Sequence, residues 1–368
     1  WGSYLFSKTF ILIMLSAYQS LVFVLVGNTT LGIHGMYWQY WLVLFITWLS
    51  SNLMGLNISD AFNSAVTIYI LIPFLVIPQL ILSGIIVKYD KLNPDISSPS
   101  SIPFYGQIIT ARWAYEALAV YQFKENKYEK QFYSYDKITS YANFRKDFWL
   151  RSLRNKVIDI RMYKKDPTKK QMIEDAILLL KNEINDEIKK NKKVKCPINI
   201  NEINYSNINE NTLVALEAYF DKINRHYIDK YNKASNERDI LMTSLQDTPE
   251  KKEAFLQLKK NYFNDNLKEF VRNETELNKI VEYKHRLYQK SDPIFLDPKP
   301  GLFAAHFYAP RKNIYGLYID TFWYNILMIF IMSILLFIAV YYNLLRKLLE
   351  SGEYFQDRIR KRKQNKKK

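Results

Sequence analysis

The stretch YILIPFLVIPQLILSGIIVKYD, residues 69–90, has the hydrophobicity of a membrane-crossing helix but carries Pro73, Pro78 and Gly84 inside it. Proline removes a backbone donor and crowds the preceding turn, so the carbonyls of Tyr69 and Phe74 lose their helical partners. In hydrocarbon such carbonyls are tolerated only where protein or a wet cavity covers them. Tyr69, Pro73, Ile77, Leu80 and Gly84 follow i, i+4, i+8, i+11, i+15 and share one helix face. Two accounts stay open for that face: a kinked helix packed against its neighbours, or the wall of a substrate pathway.

Working outward, residues 5–26, 37–58, 64–87 and 318–342 are apolar runs with almost no charge. Each is near the roughly 20 residues that a helix needs to cross about 30 Å of hydrocarbon. The first run is too long for a signal-peptide core and has no small-residue cleavage site after Lys8. Between the third and fourth runs lies a block rich in Lys, Asn and Glu. The mean hydropathy of -0.22 is therefore an average over two unlike parts. The chain opens at Trp1, almost inside a helix, and reads as a piece of something longer.

The fold class is all-α: a polytopic membrane helix bundle of four spans with a large helical extracytoplasmic insertion before the last. Residues 1–87 form three transmembrane helices, 88–118 a re-entrant or interfacial segment, 119–317 the outer helical domain, 318–345 the last span and 346–368 a basic tail. Basic residues directly after a span mark the cytoplasmic side and attract anionic lipid. Four spans then put the N-terminus inside as well, consistent with Lys8 and with a loop 27–36 that has no Lys or Arg. Long domains translocate largely regardless of charge, so the lysine-rich block can lie outside.

Within that block, Asp166-Pro167 and Thr248-Pro249 each offer an N-cap followed by a first-turn proline. Leu213, Leu216, Phe220, Ile223 and Tyr227 recur at helical spacing, as do Phe263, Leu267, Phe270 and Leu277. Residues 192–209 and 291–301 read as loops.

The net charge of +16 comes with no nucleic-acid recognition motif, so no nucleic-acid partner is expected. No GxxxxGK[ST] loop is present to cradle a nucleotide, and His34, His226, His285 and His306 lack metal-ligand spacing. No nucleophile-and-base motif occurs, and Cys196 is alone. No catalytic residue and no metal ligand is assigned. The polar residues inside the spans carry more: Ser16, Gln19 and Ser20, then Ser50, Ser51 and Asn52, then Gln79 and Ser83. Facing lipid they would be costly, so they are expected to face other helices. They are either hydrogen-bonded glue between helices or part of a polar pathway.

The run NLMGLNISDAFNSAVTIYILIPFLVIPQLILSGIIVKYDKLNP followed by ITARWAYEAL resembles the membrane half of White-type (ABCG-like) ATP-binding cassette exporters. The matching pieces are Ser83-Gly84-Ile85-Ile86 at the end of the penultimate span, Arg112 to Leu118 in the re-entrant segment, and 318–342 as the last span. The later AHFYAPRKNIYGLYIDTFWYN looks like members from Bacteroidota-type bacteria. The resemblance covers roughly residues 1–120 and 300–350 and implies the C-terminal part of a permease half in a bacterial inner membrane. A second copy or homologous half would complete a dimer around a substrate cavity, and nucleotide-binding domains upstream of Trp1 would use ATP and Mg²⁺. The chain itself is expected to hold no cofactor. By the same resemblance Pro73, Ile77 and Leu80 line the pathway, Tyr69 joins them through the shared helix face, and Ile85 and Ile86 plug its outer end. Arg112 and Glu116 match the re-entrant motif and can pair at i, i+4; an exposed pair would be worth only about 0.3–0.5 kcal/mol, and their expected role is to orient the re-entrant helix. The outer block matches nothing in the family and is expected to dock an extracytoplasmic protein, with membrane lipid as the other partner. The alternative is a membrane receptor or docking protein whose outer helical domain senses a ligand.

Overall fold

The computed structural model describes residues 2–62, 64–92, 98–99 and 101–351. In chain order the helices are α1 (Gly2–Leu31), α2 (Tyr37–Ala61), α3 (Ala65–Ile81), α4 (Phe104–Ile108), α5 (Thr110–Lys124) and α6 (Glu129–Phe144). A π-helical turn, Arg145–Trp149, carries α6 into α7 (Leu150–Tyr163). Then come α8 (Lys170–Lys190), α9 (Glu210–Ser244), α10 (Pro249–Tyr262) and α11 (Asp265–Arg272). Two antiparallel hairpins follow, β1 (Ile280–Tyr283) with β2 (Arg286–Gln289) and β3 (Arg311–Ile314) with β4 (Leu317–Asp320), before α12 (Thr321–Tyr341). The fold is an all-α polytopic helix bundle with these small hairpins attached.

The chain divides into two compact units, one of Trp1–Gln122, Lys299–Phe307 and Arg311–Lys368, the other of Phe123–Pro298 and Tyr308–Pro310. In the first, α1, α2 and α12 are long and apolar enough to cross a membrane, and α3 is a shorter apolar helix. The protein is an integral membrane protein. Helix α2 packs between α1 and α12. Asn52 Nδ2 donates to Ser16 Oγ at 2.9 Å, Trp41 Nε1 to the Ala17 carbonyl at 3.1 Å, and Asn57 Nδ2 to the Leu336 carbonyl at 2.9 Å. In a hydrocarbon surround these bonds give polar atoms partners they would otherwise lack.

Several expectations shift. Helix α3 runs unbroken through Pro73 and Pro78 but stops at Ile81 instead of 87, because Gly84 takes a left-handed φ of 81°. The last span starts at Thr321 instead of 318, since 317–320 belong to β4. Gln19 is exposed, because α1 packs a narrow stripe through Ser16, Ser20, Val24 and Asn28. Ser51 is likewise exposed and returns its hydroxyl to the Thr47 carbonyl at 3.0 Å. The tail beyond Ser351 lies outside the described residues.

The second unit is built on caps and amphipathic faces. Asn209, Thr248 and Asn264 each accept a backbone N–H at the start of α9, α10 and α11. Asp166 caps a short 3₁₀ turn from Pro167 that leads into α8. Leu213, Leu216, Phe220, Ile223 and Tyr227 are buried against α7 and α8, as their spacing predicts. The second periodic set fails: Asn264 opens a new helix, Asn273 ends it at φ 52°, and Phe270 and Leu277 are exposed. The two hairpins also depart from the expected all-helical outer block. The turn of β1–β2 places Lys284 and His285 at positive φ without a glycine.

A buried polar network runs through this core. Arg145 pairs with Glu187 at 3.2 Å and donates to Tyr141 Oη at 3.1 Å, while Tyr227 Oη donates to Glu187 at 2.7 Å. Trp149 Nε1 donates to Glu183 at 2.7 Å, and the Leu287 amide of β2 donates to the same carboxylate at 2.9 Å. Elsewhere Glu129, buried in the first turn of α6, has its carboxyl pushed up to about 7. Burial is the main cause and the Asp136 carboxylate adds to it, against the pull of Lys268, Arg272 and Arg238.

Candidate functional site

Helix α3 has no buried residue. Ile68, Leu71, Leu75 and Gln79 are half-buried and form its packing stripe, with Gln79 Nε2 reaching Met54 Sδ at 3.9 Å. At about 100° per residue, the face of Tyr69, Pro73, Ile77 and Leu80 lies roughly opposite that stripe. All four of these side chains are exposed, Tyr69 at 75% and Ile77 at 54%. Within the unit, then, four of the five positions picked out by helical spacing are left uncovered, while Gly84 lies beyond the end of α3 and is buried.

The end of α3 is fixed by one aromatic ring. Tyr89 is buried between two glycines. A Cβ at Gly84 would overlap the Tyr89 ring, and a Cβ at Gly106 would stand 2.7 Å from Tyr89 Oη and 2.9 Å from Ile102 Cγ2. Tyr89 Oη donates to the Leu82 carbonyl at 2.9 Å, one of the last carbonyls that α3 leaves unpaired. Ser83 Oγ donates to the Leu80 carbonyl at 2.8 Å and is positioned to accept from the Ile85 amide at 3.4 Å. Ile85 is half-buried and Ile86 is 66% exposed, so this turn presents Ile86 outward from a clamped backbone.

From Gly106 the contacts continue into an ionic cluster. Arg112 Nε donates to the Gly106 carbonyl at 3.0 Å, Nη2 to Gln107 Oε1 at 2.6 Å and Nη1 to Glu116 Oε2 at 2.9 Å. Lys312 Nζ of β3 donates to Glu116 Oε1 at 2.6 Å. Asn325 Nδ2 of α12 donates to Glu116 Oε2 and to the Trp113 carbonyl, both at 3.0 Å. Arg112, Glu116 and Asn325 are fully buried and Lys312 nearly so. The i, i+4 pairing of Arg112 and Glu116 is formed, but it is buried, and the carboxylate joins three elements, α5, β3 and α12. Burial alone would push the Glu116 carboxyl up, but Lys312 and Arg112 outweigh it and hold it below the ordinary range. Removing one partner of such a buried pair typically costs about 3–5 kcal/mol, because the other charge is stranded.

The sequence reading missed Lys312 and Asn325. Asn325 had a signal, an amide in an otherwise apolar run, whereas nothing local marks Lys312.

This arrangement joins an apolar wall, a fixed turn at its end and an ionic hub that ties the hairpin and the last span to α5. Residues 1–123 match the family model of the ABC-2 type transporter. The ABC-2 type segment thus holds α1 to α4 and nearly all of α5, and the match supports a membrane permease component of an ABC transporter. No curated protein and no solved structure matches the chain.

Proposed function

We propose that the chain is the membrane portion of an ATP-driven exporter that moves a hydrophobic or amphipathic substrate across a bacterial inner membrane by alternating access. The observation that carries this reading is the uncovered face of α3 inside the ABC-2 type segment. Tyr69, Pro73, Ile77 and Leu80 line the pathway from this copy, and a second copy or homologous half supplies the facing wall. ATP and Mg²⁺ belong to partner nucleotide-binding domains, and this chain transmits their motion. The unit holding α6 to α11 lies on the extracytoplasmic side.

Ile85 and Ile86 close the outer exit. The turn that carries them is held by Tyr89 between Gly84 and Gly106, so the plug moves with α4 and α5 and not as a free loop. The test is the assembled transporter in vesicles with Ile85→Ser and Ile86→Ser. ATP hydrolysis is expected to persist while substrate accumulation falls; unchanged transport at normal insertion would remove the gate from this reading.

A further inference from the structure

Near its turn the β3–β4 hairpin exposes apolar side chains on both faces, Leu317 opposite Ile314 on one and Tyr318 opposite Asn313 on the other, and neither the ionic hub nor the α3 face uses them. Tyr315 at its turn is 82% exposed, Leu317 64% and Tyr318 47%. The turn itself is tight, with Tyr315 at φ 48° and Gly316 at φ 106°, and the Gly316 amide donates to Asn313 Oδ1 at 2.8 Å.

The packed side of the hairpin shows where it sits. Ile314 and Ile319 pack against a cluster that contains Val43 and Ile46 of α2 and Phe322, Ile326 and Ile329 of α12. Both strands lie against α12, and β4 ends at the residue before its first turn, so the hairpin sits at the N-terminal end of that span. Strand β4 leads directly into α12, whose Trp323, Leu327 and Phe330 are exposed on the same molecule at 56%, 50% and 48%. The exposed hairpin residues therefore stand within a few residues of the start of a span whose own first turns are exposed. Arg311 lies over the Tyr318 ring at 4.0 Å from its centre, which puts a cation beside an aromatic face. Aromatic rings with a polar edge, flanked by a cation, are the chemistry that suits the boundary between headgroups and acyl chains.

We propose that the β3–β4 hairpin is a membrane-surface anchor, with Tyr315, Leu317 and Tyr318 seated among lipid headgroups at the N-terminal end of α12. The occupant is a phospholipid surface, and the proposal needs only that α12 crosses a membrane. It stands apart from the transport direction, the substrate and the plug.

The experiment uses the full chain in nanodiscs of phosphatidylethanolamine and phosphatidylglycerol. Cys196→Ser removes the native thiol, and single cysteines at Tyr315→Cys, Leu317→Cys and, as an aqueous control in the β1–β2 turn, Lys284→Cys carry a nitroxide label. Collision with oxygen, which partitions into lipid, is compared with collision with a water-soluble nickel chelate. The expected oxygen-to-nickel ratio is severalfold higher at 315 and 317 than at 284. Ratios equal to that of the control would overturn the anchor, and so would protection from both reagents, which would mean that a second copy covers the hairpin. A further variant, Leu317→Glu, is expected to leave insertion intact while raising nickel access at 315.

Discussion

Helices α3 and α8 are similar in length and opposite in how they use their apolar residues. The 17 residues of α3 include none that is buried, whereas the 21 of α8 bury Ile173, Ala176, Ile177, Leu179, Leu180, Glu183, Ile184 and Glu187. The amphipathic α8 sorts its residues by face, as water requires of a helix on a folded core. Helix α3 is apolar on every side, the pattern of a helix whose surroundings are themselves apolar. Burial within one chain therefore measures fit to water for α8 and says little about how well α3 is satisfied.

The largest expected effect probes the α8 side. Leu179→Ala removes a fully buried side chain and is expected to cost about 2–5 kcal/mol in urea or thermal unfolding of the full chain. A cost near zero would mean that the second unit is loosely packed and that the contrast with α3 is false.

The next concerns pH in the same unit. The Glu129 carboxyl sits at about 7 when folded, against an ordinary value of 4.5. A raised folded value gives stability that is fully present below the unfolded pKa and lost as pH rises through the folded one, here between about pH 4.5 and 7. Glu129→Gln copies the protonated form, so it is expected to change stability little at pH 4.5 and to raise it at pH 8 by the order of 2 kcal/mol. Unfolding midpoints with the same pH slope in both proteins would show that Glu129 is ionised in the fold.

The smallest effect on stability belongs to α3. Ile77→Ala is expected to alter unfolding by less than about 0.5 kcal/mol, as at exposed sites, while changing substrate transport. A loss matching that of Leu179→Ala would place Ile77 in an internal core and end the comparison.

Much of this was legible in the sequence where one helix carried the whole signal. The apolar runs, the proline caps, the α9 stripe and the exposed face of α3 all follow from spacing along one element. The Ser16–Asn52 bond was half legible: both residues stood out as polar in apolar runs, but their meeting depends on how α1 packs on α2. Lys312 and Asn325 reach Glu116 from 196 and 209 residues away in sequence, a distance over which local pattern carries no information. The β1–β2 hairpin was hidden for a different reason. Its turn uses Lys284 and His285 at positive φ, where Asn-Gly would have announced it.

The two glycines around Tyr89 stand 22 positions apart in the chain, yet they are complementary halves of one mould for one ring. A methyl group added at either strikes the same side chain, so the three positions form a single unit of inheritance. In related sequences, a side chain at position 84 or 106 should come only with a smaller residue at 89. Directed evolution that begins at Gly106 would then have to pass through Tyr89 first.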